Sequence, residues 1–289
     1  MKVLVTGSTG QLGYDVVKQA TMLGWEVSGV GSSDLDITNT DEVRDFVATL
    51  KPEVIIHCAA YTAVDLAEDK REDAYNVNVN GTSNLSHAAK EIDCKFVYIS
   101  TDYVFDGSGE TPFQIEDSTN PIGYYGETKL KGEQVVQDFL KKYFIVRISW
   151  VFGLNGNNFV KTMLRLGKER KELNVVDDQI GSPTYTRDLA GLIVGMVQTD
   201  KYGVYHATNE GYCSWADFAD AIFSEAEVNV KVNRISSNEF PTKAKRPANS
   251  RLDKSQLELN GFKRLPKWND ALTRYIKELK TEGEFNEEH

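Results

Sequence analysis

Apolar positions along the first half of the chain alternate between a strand-like and a helix-like spacing. Short apolar runs predict buried strands at 2–6, 25–30, 54–57, 96–99 and 144–148. The stretches between them are long enough for crossover helices, and after the first run Leu12, Val16 and Ala20 recur at helical spacing. Right-handed crossovers place helices on both faces of a parallel sheet. We therefore predict an α/β fold with a doubly wound parallel sheet of the Rossmann type.

The pattern becomes less regular after residue 150. It predicts a strand at 173–176 and helices at 187–198, 215–226 and 268–279. A chain of 289 residues is long enough for about two domains. We expect residues 1–150, with 171–208 returning to them, to form the doubly wound domain, and residues 151–170 and 209–289 to form a smaller α/β domain. Because no Pro/Gly/Ser-rich linker separates them, the two domains are expected to share a cleft.

Composition excludes several classes of protein. Hydrophobic residues make up 40% of the chain, enough for a sizeable core, and the formal net charge of −10 repels polyanions such as nucleic acid. The sequence has no apolar run approaching ~18 residues and no signal-peptide pattern at its N-terminus. Its three cysteines are widely spaced and form no C-x-x-C motif. We expect a cytoplasmic protein that binds neither nucleic acid nor membrane.

Three glycines lie between the first predicted strand and the first predicted helix. Gly7, Gly10 and Gly13 form a Gly-x-x-Gly-x-x-Gly motif. In this position one glycine allows the tight turn, one lets the backbone approach a pyrophosphate, and one lets the helix pack against the strand. The helix N-terminus then offers N–H groups to the phosphates. The motif predicts a dinucleotide site.

The end of the second strand usually distinguishes NAD from NADP. An acidic residue there binds the ribose 2′-hydroxyl, and a basic residue accommodates a 2′-phosphate. Residues 30–33 (Val-Gly-Ser-Ser) offer neither, and Asp34 and Asp36 follow a few residues late. Both NADPH and NADH therefore remain possible cofactors.

A second motif carries candidate chemistry. Tyr125 and Lys129 are four residues apart at the start of a predicted helix, so they project from the same face. A neighbouring ammonium is expected to lower the pKa of the phenol and make Tyr125 a proton donor. Thr101 follows the fourth strand, at the sheet edge where ligands bind in such folds, and its hydroxyl is placed to reach a substrate oxygen.

These motifs, with Ala59-Ala60 and Asn-Val-Asn-Gly-Thr at 78–82, resemble the extended short-chain dehydrogenase/reductase superfamily over nearly the whole chain. Within it, several segments resemble the dTDP-4-dehydrorhamnose reductase family, namely 10–13, 59–65, 100–105, 125–129, 149–152 and 246–250. The resemblance implies reduction of the C4 ketone of dTDP-4-dehydro-β-L-rhamnose by NADPH or NADH, giving dTDP-L-rhamnose for polysaccharide biosynthesis. The first domain would bind the dinucleotide and the second the dTDP-linked nucleotide sugar.

The same resemblance implies roles for individual residues. Tyr125 would be the acid, Lys129 its electrostatic partner and nicotinamide-ribose ligand, and Thr101 the donor to the carbonyl oxygen. Asp102 and Trp150 would line the sugar pocket. The residues expected to contact the cofactor are Gly7, Thr9, Gly10, Gln11, Leu12, Gly13, Asp36, Ile37, Ala59, Ala60, Tyr61, Tyr125 and Lys129.

Arg246 lies in the most basic stretch of the chain, together with Lys243, Lys245 and Arg251. One interpretation is a solvated loop. The other is a contact between the Arg246 guanidinium and the diphosphate of the substrate, for which its geometry is suited.

Two rival functions remain possible. One is that of a dehydratase or epimerase of the same superfamily, although dehydratases carry Asp-Glu after the catalytic Thr and here Tyr103 follows Asp102. The second is that of a non-catalytic NADP-binding regulatory subunit. We assign no metal ligands, expect His57 to be a core residue, and leave open whether the protein is a monomer or a homodimer.

Overall fold

The computed structural model describes residues 1–284. Its strands are β1 Lys2–Thr6, β2 Glu26–Val30, β3 Val54–His57, β4 Lys95–Thr101, β5 Tyr143–Ile148, β6 Val151–Phe152, β7 Glu172–Val176, β8 Ile180–Gly181, β9 Thr184–Tyr185, β10 Gly203–His206, β11 Cys213–Ser214, β12 Lys231–Ile235 and β13 Asn249–Ser250. Its α-helices are α1 Gln11–Met22, α2 Thr40–Leu50, α3 Val64–Ala67, α4 Arg71–Tyr75, α5 Thr82–Glu91, α6 Tyr124–Phe139, α7 Phe159–Glu169, α8 Thr186–Met196, α9 Trp215–Glu225, α10 Ser255–Leu259 and α11 Trp268–Thr281. A π-helix at Asn76–Gly81 joins α4 to α5, and short 3₁₀ turns lie at Asp102–Val104 and Ser237–Glu239.

The central sheet has six parallel strands in the order β2-β1-β3-β4-β5-β10. The predicted α/β fold with a doubly wound parallel sheet is confirmed. After β2 the chain returns to the other side of β1, so the strand order reverses between β1 and β3. In such sheets, ligands bind outside the carboxyl ends of the strands at this reversal.

Alternating side chains of the strands are buried on opposite faces of the sheet. On one face, Val3 and Val5 of β1 pack with residues of α1 and α8 such as Val16 and Ile193. On the other face, the core formed by α2, α5 and α6 begins at Leu4 of the same strand. Since each face is covered by helices, the strands are nearly continuous apolar runs, as predicted for a parallel sheet.

The second unit has its own core, built from α7, α9 and α11. In it β7 pairs with β12, and β8 pairs with β11 and β13. Residues 171–208 divide between the two units, because β7 pairs with β12 whereas β10 pairs with β5 and α8 packs on α1. Within residues 1–284, no helix is long and apolar enough to span a bilayer.

Candidate functional site

A cavity of about 830 Å³ lies outside the carboxyl ends of the large sheet. Loops that follow β1 to β5 form most of its wall. The second unit closes the remaining side with Phe159, Trp215 and Phe218. The cavity is therefore lined by residues of both units.

The glycine turn runs along one end of this cavity. Gly7 has a φ of +67°, and a Cβ there would lie 2.6 Å from the Ala59 backbone nitrogen. A Cβ on Gly13 would lie 2.1 Å from the carbonyl oxygen of Gly7. Gly7 therefore allows the turn and Gly13 allows close packing of α1, while Gly10 lines the cavity itself.

The N-terminus of α1 suits an anionic ligand. Gly10 is its N-cap and supplies no side-chain cap, and the first turn of α1 carries no acidic residue. Gln11 and Leu12 of that turn line the cavity, with Thr9 beside them. The first N–H groups of the helix are left for a ligand, and these donors fit the pyrophosphate of a dinucleotide.

The loop after β2 forms the next part of the wall. The Gly31 N–H donates to Asp34 Oδ2 (2.8 Å), so the Asp34 carboxylate is used within the loop. Asp36 and Ile37 line the cavity, although Asp36 Oδ1 accepts from the N–H (2.9 Å) and the hydroxyl (2.7 Å) of Thr38. One oxygen of each carboxylate is therefore engaged within the loop.

The segment after β3 is held by Asn78, which belongs to the 78–82 motif but was given no role from the sequence. Ala59, Ala60 and Tyr61 line the cavity. The buried Asn78 side chain accepts from the Tyr61 N–H (2.8 Å) and donates to the Thr128 hydroxyl (2.9 Å). Because Asn78 lies in the π-helix and Thr128 in α6, this amide fixes the segment relative to the helix that carries Tyr125 and Lys129.

Tyr125 and Lys129 lie in the first turns of α6 and line the cavity, as their spacing predicted. The expected lowering of the Tyr125 pKa was wrong for this structure. Burial and the nearby Asp102 carboxylate raise the pKa of Tyr125, against a hydrogen bond with Thr101. Burial lowers the pKa of Lys129 to about 7, and its Nζ lies 4.1 Å from the centroid of the Tyr98 ring.

Thr101 and Asp102 are coupled at the end of β4. The Thr101 hydroxyl donates to Asp102 Oδ1 (2.9 Å), and both residues are buried and line the cavity. Burial raises the pKa of Asp102 to about 6. Asp102 Oδ2 has no hydrogen-bond partner among residues 1–284. The nearby Ser250 hydroxyl acts against the effect of burial and lowers the pKa of Asp102. Asp102 thus keeps one buried oxygen for a ligand.

Trp150 lines the cavity and has an unusual backbone conformation. Its φ is +50°, in the left-handed region that a bulky residue rarely adopts. Its ring is stacked on that of Trp215, a residue not selected from the sequence. On β8, a Cβ at Gly181 would lie 2.8 Å from Trp150 Cε2. One face of the Trp150 indole is therefore already covered by protein.

Two of the expected ligand-binding residues lie off the cavity wall. Gly13 packs beneath the turn, as described above. The Arg246 guanidinium is paired with both carboxylate oxygens of Asp65, at 2.7 and 3.2 Å, and is about a quarter exposed. Its neighbour Lys243 is paired with Asp69.

His57 is a core residue, as expected. Its Nδ1 lies 2.8 Å from the Thr6 hydroxyl, its Nε2 lies 3.1 Å from the Thr82 hydroxyl, and burial lowers its pKa to about 3. Burial raises the pKa of the neighbouring Cys58 to about 12, which does not favour a nucleophile. Across residues 1–284, no group of three or more His, Cys, Asp or Glu side chains is arranged to hold a metal ion.

Known proteins resemble this chain over almost its whole length. The family model described as the RmlD substrate binding domain matches residues 1–281. The chain belongs to this family. It is 45% identical over 270 residues to a dTDP-4-dehydrorhamnose reductase of Aggregatibacter actinomycetemcomitans, covering 89% of this chain and 92% of the relative. The resemblance seen in the motifs is confirmed.

Solved structures of this family share the whole fold. A dTDP-4-dehydrorhamnose reductase from Clostridium acetobutylicum has a TM-score of 0.95 at 45% identity, covering 97% of this chain and 100% of the other. The enzyme of the same name from Bacillus anthracis, in complex with NADP, has a TM-score of 0.94 at 46% identity, covering 96% of this chain and 100% of the other.

The motifs identified in the sequence predicted more of the cavity residues in the first unit than in the second. Phe159, Trp215 and Phe218 were missed because aromatic residues at helical spacing look the same whether they face a core or a cavity. Ser-Trp at 214–215 carried a local signal, since Ser214 caps α9 and so places Trp215 at the helix start.

Proposed function

We propose that the protein reduces the C4 ketone of dTDP-4-dehydro-β-L-rhamnose to give dTDP-L-rhamnose, using NADPH or NADH. One observation carries this proposal. Thr101, Tyr125 and Lys129 line the same cavity as the uncapped N-terminus of α1, so a proton donor and a pyrophosphate site open onto one space. The names of the relatives, and the NADP in the Bacillus anthracis structure, support the same substrate class and cofactor here.

The reduction needs a hydride at C4 and a proton at the carbonyl oxygen. When bound, the nicotinamide supplies the hydride. Tyr125 donates its phenolic proton to the oxygen as the alkoxide develops. A high pKa keeps Tyr125 protonated before the reaction, and the ammonium of Lys129 stabilises the phenolate that remains.

Thr101 donates a second hydrogen bond to the substrate carbonyl oxygen, once its hydroxyl no longer donates to Asp102. Its one hydroxyl proton is directed at Asp102, so donation to the substrate oxygen requires the hydroxyl to rotate away from that carboxylate. Asp102, whose Oδ2 has no partner among residues 1–284, then accepts from a sugar hydroxyl. Trp150 and Trp215 provide the apolar surface beside the sugar ring.

In this proposal, the two units bind different ligands. The large sheet with α8 and β10 holds the dinucleotide, and the second unit completes the site for the sugar. Arg246 lies between them, and exchange of its Asp65 partner for the substrate diphosphate would bring it into the site. Cys58, Cys94 and Cys213 are free thiols, which is consistent with the reducing cytoplasm.

Absorbance of the reduced nicotinamide tests the proposal. Purified protein, dTDP-4-dehydrorhamnose and NADPH should consume cofactor in a one-to-one ratio with substrate. A protein that binds NADPH but never oxidises it would instead be a regulatory subunit. Conversion of dTDP-glucose to its 4-keto-6-deoxy product by tightly held NAD, with no consumption of added NADPH, would make it a dehydratase.

A further inference from the structure

A buried ion pair lies directly behind the proposed reduction site. Glu133 in α6 accepts from Arg147 of β5 through both carboxylate oxygens, with Oε1 to Nε at 2.9 Å and Oε2 to Nη2 at 2.7 Å. The Ser100 hydroxyl of β4 also donates to Glu133 Oε1 (2.5 Å). All three residues are at most 5% exposed. The pair therefore joins α6, β4 and β5 at the edge that carries the site.

Two members of this cluster are close in sequence to residues of the site. Ser100 immediately precedes Thr101, and Glu133 follows Lys129 by four residues on the same face of α6. On its far side, Arg147 Nη1 lies 3.4 Å from His206 Nε2, and the guanidinium lies over the Phe105 ring. Since a buried pair with all its hydrogen bonds made resists displacement, it can fix both Thr101 and Lys129.

Glu133 is also the charged neighbour of Lys129. The other titratable groups packed around this lysine are neutral near pH 7, since burial holds the pKa of His57 near 3, that of Cys58 near 12, and those of Tyr98 and Tyr125 above their ordinary value. Burial of Lys129 opposes its ammonium form, and the Glu133 carboxylate acts against this effect.

We propose that Glu133 is a positioning residue of the reduction site, which holds Thr101 in place through Ser100 and keeps Lys129 in its ammonium form. This inference rests on the proposed function. A buried ion pair can have two roles. Stabilising the fold depends on both partners, Glu133 and Arg147, whereas keeping Lys129 charged depends on the Glu133 carboxylate.

Two variants separate these roles. Glu133→Gln removes the charge and leaves Arg147 buried without its partner, which is expected to destabilise the protein. The double variant Glu133→Gln with Arg147→Met removes both charges, a change that is often neutral for stability. Glu127→Gln is the matched control, because Glu127 lies in the same helix but its pair with Lys131 (2.9 Å) is exposed.

The readouts are thermal unfolding, affinity for NADH between pH 6 and 9, and kcat over the same range. NADH is used because it has no titrating 2′-phosphate. In the wild-type protein, affinity should fall as Lys129 loses its proton. In both Glu133 variants this fall should move to lower pH by about one unit, while Glu127→Gln behaves as wild type.

Three results would overturn the inference. One is recovery of both stability and the wild-type pH dependence in the double variant, which would leave the pair a structural role alone. Another is an unshifted profile in a folded Glu133→Gln variant. The last is a wild-type affinity for NADH that does not change with pH. Because NADH binding is measured without substrate, failure of the proposed reduction would be seen separately, as a wild-type protein that binds NADH but leaves the ketone unreduced.

Discussion

The indole rings of Trp150 and Trp215 are stacked, with centroids 3.6 Å apart and planes 13° from parallel. Trp150 lies between β5 and β6, and Trp215 is the first residue of α9. The Trp215 Nε1–H donates to Gln179 Oε1 (3.2 Å), which fixes its ring. The stack therefore joins the segment after β5 to the start of α9 on the wall of the cavity.

Replacing Trp215 should weaken substrate binding more than catalysis. In Trp215→Leu the stacking partner is lost, and an aromatic pair contributes about 0.5–1.5 kcal/mol beyond its buried area. We expect KM for the sugar nucleotide to rise up to about tenfold, with a smaller change in kcat. Trp268→Leu is the control, because Trp268 packs edge-on against Phe218 and lies off the cavity wall. Equal effects of the two substitutions would show that loss of packing alone explains the result.

The glycine turn can be tested with a matched pair of alanine substitutions. Gly13→Ala places a methyl group against the Gly7 backbone, so α1 must shift and both stability and NADPH affinity should fall. Gly195→Ala in α8 meets no atom within 4 Å and should stabilise the protein by about 0.5–1 kcal/mol. Thermal unfolding and cofactor titration measure both effects. Unchanged NADPH affinity in a folded Gly13→Ala variant would contradict the role given to the turn.

The local motifs made the first unit predictable from sequence. The predicted roles of the glycine turn (Gly7 and Gly13) and of the helical pair (Tyr125 and Lys129) depend on residues close together in sequence. They follow from this spacing and from the parallel sheet, which brings the strand ends to one edge. The direction of the Tyr125 pKa was wrong because burial and Asp102 are properties of the tertiary structure.

The second unit was harder to predict for a similar reason. Trp215 reaches the site because α9 packs across the cleft, and β7 pairs with β12, which lies more than fifty residues away. The partner of Arg246 is Asp65, from the first unit. Contacts over such separations leave no periodic signal in a single sequence.

The buried Asp102 carboxyl should make stability depend on pH. Its pKa is raised from 3.8 to about 6, so its burial costs little stability below about pH 4, where the carboxyl is protonated in both states. The cost grows between about pH 4 and pH 6 and levels off above pH 6 at about 3 kcal/mol. Asp102→Asn should therefore raise the unfolding temperature at pH 8 and have little effect at pH 4. Asp106→Asn should act in the opposite sense, because hydrogen bonds from Ser108 lower the pKa of Asp106. Thermal unfolding of the wild type and the two variants at both pH values tests this prediction. If Asp102→Asn changed the unfolding temperature equally at pH 4 and pH 8, the raised pKa of Asp102 would be contradicted.

The protein should discriminate weakly between NADPH and NADH. One oxygen of Asp34 accepts from the Gly31 N–H and one oxygen of Asp36 accepts from Thr38, while residues 31–33 offer neither a carboxylate nor a cation to a ribose 2′ group. We expect affinities within ~10³-fold of each other, which corresponds to ~4 kcal/mol. Titration of both cofactors measures the ratio, and a larger preference would require a determinant outside this loop.

Tyr125→Phe should lower kcat by at least ~10²-fold, the size expected for loss of a general acid. The ring of Tyr125 packs edge-on against Tyr103 at 5.6 Å, a contact that phenylalanine retains, so the fold and the affinity for cofactor should be kept. Tyr124→Phe is the matched control: Tyr124 begins the same helix, but its ring lies under the Arg71 guanidinium (4.8 Å) and lines no part of the cavity. Steady-state kinetics and NADPH titration test both variants. A Tyr125→Phe protein with a kcat near wild type would exclude Tyr125 as the proton donor, because phenylalanine has no hydroxyl proton to give.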